Sequence, residues 1–579
     1  MNGTQTWKRI ISYTARFRAQ AILAALCAVL SVVASLVGPL LISRAVDHMV
    51  GPGKVDFHSL LAIIGALAAI YAAGSLLGWL LTYLTNRIAY ETVNGLRTEL
   101  FDKLGVLPLK FHDNHPQGDL ISRFVNDMDA VSDGLLQGFQ TLITGIVTIA
   151  GAVILMLYIS PLMTLVVLVS APASYYMAKF ITTRSQQLFR DQAKVLGGLN
   201  GYVEEIVGGQ KIVQAFHYED QTYERFERLN DELYEAGVKS QFYGSLSGPT
   251  TRLVNNITFS VIAIIGSLVI IAGRLSVGDL TGFLIYSNLF AKPFNEITGV
   301  LTQLQSATAS AQRIFAILDL EPESPDAVDA LDREPQQGTI AFERVGFAYD
   351  PQRPLIKDFS LTVKQGTRVA IVGQTGAGKT TLVNLLMRFY DVDRGSIVID
   401  GTDIREMTRD SLRRGFGMVL QDTWLFGGSV RDNIAYGKSD ATDEEVIAAA
   451  KASNAHGFIK RLPDGYNTVI GGSGESLSQG QKQLLTIARV MLADPPMLIL
   501  DEATSSIDTR TEIVIQKAFL RMMDGRTSFV IAHRLSTIRE SDLILFMKDG
   551  DIAESGTHDE LLRQGGYYAQ LYNSQFATA

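Results

Sequence analysis

Only one cysteine occurs in 579 residues, and that residue, Cys27, lies inside the first long apolar run. An intrachain disulfide is therefore excluded, and Cys27 reads as a small residue among apolar neighbours. Basic residues are also short: Lys and Arg number 51 against 59 Asp and Glu, for a net charge of −8, with no stripe dense in Lys or Arg. Nucleic acid is set aside as a partner, because binding a phosphate backbone is mainly cationic neutralisation. Charged residues are unevenly spread, since long uncharged runs fill the first half and the second half has ordinary soluble composition. A chain of 579 residues exceeds what one core usually organises, so at least two domains are expected.

Lys8, Arg9, Arg16 and Arg18 precede the first apolar run, which has no tidy small-residue cleavage site, so the sequence predicts an uncleaved first span and no transit peptide. A helix needs about 20 apolar residues to cross roughly 30 Å of hydrocarbon. Runs of that kind predict six spans over residues 20–43, 59–86, 134–157, 161–179, 252–273 and 276–300, with Ser160-Pro161 breaking the longest run into a hairpin. Between the spans, 87–133 and 179–252 are long, charged and helical in pattern. With the basic N-terminus in the cytoplasm, both long connections fall on the same side. In the sixth span Lys292 and Glu296 stand four residues apart on one face, where they are expected to pair and to meet protein or water rather than lipid.

After Asp319 comes a polar, acid-rich stretch with Pro322, Pro325 and Pro335 that reads as a linker over 320–337. From Thr339 onward short β-rich runs alternate with amphipathic helices, the pattern of a mostly parallel sheet covered by helices. The fold expected is thus multidomain: an all-α six-helix transmembrane bundle with long cytoplasmic extensions over 1–319, the linker, and an α/β P-loop nucleotide-binding domain over 338–579.

The apolar run Arg368-Val-Ala-Ile-Val372 feeds into Gly373, Gln374, Thr375, Gly376, Ala377, Gly378, Lys379, Thr380 and Thr381, followed by a helical stretch. This is a P-loop in its required setting. Its glycines let backbone N–H groups curl around phosphate oxygens, Lys379 reaches the outer phosphates, and Thr380 offers a hydroxyl to Mg²⁺. A second apolar run, Met497-Leu-Ile-Leu, ends in Asp501 and Glu502. Two adjacent carboxylates there suit two tasks: Asp501 holds Mg²⁺ through its waters, and Glu502 orients or deprotonates the water that attacks the γ-phosphate. A third run, Ser528-Phe-Val-Ile-Ala532, delivers His533 to the same edge.

Taken together, these motifs resemble those of the ATP-binding cassette (ABC) transporters, in particular exporter-type half-transporters, and the resemblance covers nearly the whole chain. Leu477-Ser478-Gln479-Gly480-Gln481 resembles the signature loop that is presented to a partner chain's ATP. Gln421 resembles the Q-loop glutamine, a catalytic and Mg²⁺-facing residue; Asp508 closes a D-loop-like Ser-Ser-Ile-Asp; His533 resembles the switch histidine; Tyr349 resembles the aromatic that stacks on adenine. Phe111 to Arg123 and Gly208 to Phe216 look like the two cytoplasmic loops that end in short coupling helices.

The resemblance implies ATP and Mg²⁺ as cofactors, a lipid membrane, and a second half-transporter chain as partner. It also implies a multi-pass plasma-membrane protein, of bacterial type, with N-terminus and cassette in the cytoplasm. Two cassettes would close on two ATP molecules and flip the spans, driving export of a drug, lipid or similar amphiphile. An ATP-gated conduit or regulator that does not pump, and an importer of exporter shape, are the alternatives. Gln479 departs from the family, which usually has glycine there; its side chain is expected to crowd the γ-phosphate, which favours a heterodimer with a partner carrying an intact signature, a homodimer being the other possibility.

Overall fold

In a computed structural model, which describes residues 3–49, 55–374, 376–421, 423–471, 477–501, 509–532 and 535–575, the six apolar runs lie wholly or mainly on six long helices. These are Arg18–Asp47, Phe57–Gly105, Met128–Ile159, Pro161–Gly208, Ser247–Ile271 and Val277–Leu318. Helix is what lipid demands, because every backbone donor must be satisfied within the segment. Among the described residues, four helical stretches are long and apolar enough to cross a membrane: Gly3–Asp47, Phe57–Gly105, Gln117–Ile159 and Glu219–Ile271, with a shorter apolar stretch over Pro161–Ser170.

At 49 and 48 residues, Phe57–Gly105 and Pro161–Gly208 run about 70 Å, more than twice a hydrocarbon core. Their polar ends therefore continue far beyond any lipid. The turn between the third and fourth long helices is made at Ser160, whose backbone is extended and whose hydroxyl accepts from the Met163 N–H, while Pro161 opens the next helix. Lys292 and Glu296 pair at 3.7 Å.

The chain divides into two units, Met1–Val106 with His115–Glu321, and Leu107–Asn114 with Pro322–Ala579. In the first unit the N-terminal helix Gly3–Thr14 is pinned by Trp7, whose Nε1 donates to the Thr308 hydroxyl at 2.8 Å, and by Arg9, which pairs with Asp319 at 2.6 Å. The buried carboxylate of Asp127 is neutralised by Arg123 at 3.1 Å and by Arg313.

The second unit contains a six-stranded sheet in the order Asp551–Gly556, Leu543–Lys548, Arg368–Gly373, Thr527–Ile531, Met497–Asp501, Phe416–Val419. Its first pair is antiparallel and the rest are parallel. Ala370, Val372, Leu498, Leu500 and Val530 face one buried cluster, while Val369, Ile371, Ile499, Phe529 and Ile531 face another. Both faces are covered, which is why these strands read as unbroken apolar runs rather than alternating ones. A second, antiparallel sheet is ordered Ile356–Val363, Ile340–Phe347, Arg394–Ile399, Thr402–Asp403.

Two features differ from what composition suggested. The short helix Leu109–Asn114, from the first charged connection, belongs to the second unit, where the Tyr390 hydroxyl donates to Asp113 at 2.5 Å. Burial and the Asp113 carboxylate together push the Tyr390 phenol up. The stretch expected as a linker is docked rather than loose: the Leu331 N–H donates to Glu406 O at 2.8 Å, and the Thr408 N–H donates to Leu331 O at 3.1 Å.

Candidate ATP site

The site is built at the carboxyl ends of the parallel strands, where open α/β sheets collect their ligands. Ile531 stands level with both Ile371 and Asp501, and Val419 level with Leu500, so the segments leaving four strands emerge at one edge. Gly373 and Gln374 leave the first of these, and the helix Lys379–Leu386 starts five residues after Gln374. Gly378 caps that helix with φ +97°, a left-handed conformation that glycine adopts without strain. Lys379 curls over the loop, its Nζ donating to Gly373 O at 2.7 Å and Gln374 O at 3.0 Å. Burial lowers the Lys379 ammonium below its ordinary pKa, while the Asp501 carboxylate acts the other way. Ile371 and Asp501 are both level with Ile531 and Lys379 holds Gly373 O, so lysine and aspartate stand at the same edge.

Gly376 and Thr380 are exposed, while Ala377 and Thr381 are buried beneath them. Gln421, also exposed, follows the strand Phe416–Val419 by two residues. Thr380 hydroxyl, Gln421 amide oxygen and Asp501 carboxylate are hard oxygen donors, a set that suits Mg²⁺ held jointly with phosphates. Tyr349 is 40% exposed. Its hydroxyl accepts from Asn384 Nδ2 at 3.2 Å, and its ring meets Tyr390 edge-on at 5.0 Å. Asn384 was not singled out from sequence; its position on the helix after the P-loop is the only signal for it.

The signature residues open the helix Gln479–Ala493. Ser478 and Gln481 cap it reciprocally, the Ser478 hydroxyl accepting from Gln481 N–H at 3.3 Å and Gln481 Oε1 accepting from Ser478 N–H at 2.9 Å. Gly480 is buried. Gln479 is turned onto its own chain, its Nε2 donating to Thr423 Oγ1 at 3.1 Å. Thr375, Glu502, Asp508 and His533 lie outside the described residues; Glu502 directly follows Asp501, and His533 directly follows Ala532, whose N–H donates to Ile371 O at 3.2 Å.

In the first unit, an apolar cavity of about 530 Å³ lies between the N-terminal helix and the long helices, with Trp7, Ile11, Ala89, Phe139, Leu142 and Leu304 among its lining.

Comparison with known proteins agrees with this geometry. Residues 21–294 match the ABC transporter transmembrane region, and residues 356–505 match the ABC transporter family of ATP-binding domains. An uncharacterized ABC transporter ATP-binding protein of Bacillus subtilis is 44% identical over 99% of this chain and 94% of its own length. A fatty acid ABC transporter ATP-binding/permease protein of Mycobacterium bovis is 44% identical over 90% of this chain and 82% of its own. An ATP-dependent lipid A-core flippase of Syntrophus aciditrophicus is 38% identical over 88% and 85%. The solved structure of a bacterial Atm1-family ABC exporter with ATP bound superposes with a TM-score of 0.75 at 30% identity, over 97% of this chain and 99% of that one. The chain belongs to the ABC transporter family, as an exporter-type half-transporter that joins a helical membrane region to one ATP-hydrolysing cassette in a single polypeptide.

Proposed function

We propose that the protein exports a small amphiphile, a lipid, fatty acid or drug-like molecule, from the cytoplasmic side of a bacterial plasma membrane by alternating access. The observation that carries the substrate class is the apolar cavity beneath the N-terminal helix, whose lining offers hydrocarbon and little else. The fatty acid and lipid A-core relatives support it.

Each ATP lies between one chain's P-loop and the signature of a second chain. Gly373 to Thr381 cradle the phosphates, Tyr349 stacks on adenine, and Lys379 neutralises the outer phosphates. Glu502 orients the attacking water, with Gln421 and His533 beside the γ-phosphate and Asp508 at the cassette interface. Mg²⁺, held by Thr380, Gln421 and Asp501, would supply charge neutralisation at the β- and γ-phosphates. ATP favours only the closed pair of cassettes, so hydrolysis resets the cycle.

The sequence favours a non-identical partner, because Gln479 stands where the family usually has glycine. A specific observation favours a pair of identical chains instead: the Gln479 amide reaches Thr423 of its own chain, so it need not crowd a partner's nucleotide. Expression of this chain alone and with a neighbouring cassette protein separates the two. Mg²⁺-dependent ATPase activity that appears only in the pair and is lost in Glu502→Gln selects the heterodimer, and full Glu502-dependent activity of the chain alone selects the homodimer. Absence of ATPase in both preparations would favour the non-pumping conduit.

A further inference from the structure

Ser478 and Gln481 cap the signature helix reciprocally through the Gln481 and Ser478 N–H groups, so the Gln479 side chain is not needed as a cap. Its amide instead spans 56 residues of sequence to reach Thr423, two positions beyond Gln421. The glycine usual at this position could make no such bond.

A second attachment lies further along the same helix. Arg489 donates to Trp424 O at 2.8 Å, to Asn433 O at 2.5 Å and to Asn433 Oδ1 at 2.6 Å. Asn433 in turn clasps Phe426 through its N–H at 2.9 Å and its carbonyl at 3.0 Å. The guanidinium lies 5.7 Å from the Phe426 ring and 5.5 Å from that of Tyr436. Residues 424–426 are thus bonded to the signature helix whatever Gln479 does. Between this clasp and the strand end at Val419 stand only Leu420 to Thr423. The bond to Gln479 adds a further attachment at Thr423, two positions beyond Gln421, at the start of the same helix.

We infer that Gln479 is a positioning residue which ties the signature a chain presents to its partner's ATP to the glutamine segment that reads its own ATP, making the two ATP sites cooperative. This rests on the two-chain reading given above. Occupancy of one site displaces Gln421, the Thr423–Gln479 bond carries that displacement to Ser478 and Gly480, and the partner's site gains or loses its closing loop. Coupling of this kind is reciprocal, so each site changes the other's affinity by the same factor.

The test is the ATP dependence of hydrolysis by the purified full-length transporter in phospholipid nanodiscs, wild type against Gln479→Met, Thr423→Val, the double variant and Thr423→Ser. The wild type is expected to show a Hill coefficient above 1. Gln479→Met and Thr423→Val each bring it to about 1, Thr423→Val with the maximal rate kept within about twofold, the double variant goes no further, and Thr423→Ser, which retains the accepting oxygen, matches wild type. A merely structural role would lower the maximal rate and leave the Hill coefficient alone. An unchanged Hill coefficient in both single variants, or a Gln479→Gly variant that hydrolyses faster with cooperativity intact, overturns the inference alone. Full hydrolysis by nanodiscs shown by mass to hold one chain overturns both the inference and the two-chain reading beneath it.

Discussion

Arg409 holds Asp326 at 2.6 Å and Glu323 at 3.2 Å with its own side chain 9% exposed. It also donates to Ser324 O at 2.8 Å, and Arg388, 7% exposed in its side chain, stands 3.6 Å from Asp326. Further along, Arg414 meets Asp332 at 3.3 Å and Glu334 at 3.2 Å. The acid-rich stretch after the last long helix is therefore strapped to the cassette just behind the P-loop helix. Arg388 follows that helix by two residues and also donates to Ile404 O and Met407 O, both at 3.1 Å.

Removing Arg409 takes the nearest cation from two partly buried carboxylates, leaving Asp326 with Arg388 at 3.6 Å and Glu323 with Arg413 at 3.9 Å. Arg409→Ala is expected to cost about 2 kcal/mol, at the lower end for buried pairs because Asp326 and Glu323 are 29% and 30% exposed. In a cassette of this size that lowers the thermal midpoint by about 4–8 °C. Asp326→Asn, which keeps an accepting oxygen, is expected to cost less. Differential scanning fluorimetry on the full chain in detergent, with and without ATP, reads both, and equal midpoints for Arg409→Ala and wild type would refute the strap.

The strap was the part of the cassette least legible in the sequence. A polar run rich in Asp, Glu and Pro has the composition of a solvated linker, and its counter-charges stand 62 to 90 residues away, at Arg388, Arg409, Arg413 and Arg414. The P-loop, by contrast, was legible because strand, glycines, lysine and helix are contiguous, and so was the edge at Asp501, because a sheet buried on both faces writes each strand as an apolar run. That the apolar runs would lie on long helices was legible from hydropathy alone. Contacts that join distant residues, such as Gln479 to Thr423, Tyr390 to Asp113 and Asp47 to Gly278, leave no local pattern, and only the folded chain displays them.

Asp400 makes stability depend on acidity. It sits at φ +50° in a turn and accepts from the N–H groups of Gln336, Gln337 and Thr339, each at 2.9 Å, where the strap enters the first strand. Burial pushes its carboxyl up, but these backbone donors outweigh it and hold it below the ordinary carboxylate value. A carboxyl whose pKa is lower folded than unfolded adds stability above the unfolded value of about 3.9, and that stability is lost as pH falls through the folded value. Asp400→Asn is therefore expected to lower the unfolding midpoint at pH 7, with the gap to wild type closing below about pH 4. A gap that widens on acidification would contradict this assignment.

Asp47 ties two helices of the first unit together. Its carboxylate accepts from the Ser276 hydroxyl and from the Gly278 N–H, both at 2.8 Å, so the end of the first long helix caps the start of the last. The two approach so closely that a Cβ on Gly278 would fall 2.0 Å from Ser43 O and 2.6 Å from the Asp47 carboxylate. Asp47→Ala is expected to cost about 1–2 kcal/mol by leaving those donors unmet, and Gly278→Ala more, because backbone must shift. Retention of the folded, monodisperse fraction on heating in detergent ranks them, with Gly278→Ala lowest; a Gly278→Ala variant as stable as wild type would show that the helices do not meet this closely.

Lys379 and Glu502 are expected to fail in different ways. Lys379 holds Gly373 O and Gln374 O and is itself partly desolvated beside Asp501. Lys379→Ala therefore removes both the clasp that shapes the phosphate loop and the positive charge that the outer phosphates need. ATP affinity should fall by about 10- to 100-fold, or about 1.4–2.8 kcal/mol, with hydrolysis lost as well. Glu502→Gln keeps shape and hydrogen bonding but removes the carboxylate charge that activates the attacking water. It should leave ATP affinity within a few-fold while cutting the maximal rate by about 100-fold or more. Equilibrium binding of a fluorescent ATP analogue, set beside steady-state hydrolysis in the same preparation, separates the two variants. If Glu502→Gln lost affinity rather than rate, Glu502 would be a binding residue and the base would have to be sought elsewhere along the edge that begins at Asp501.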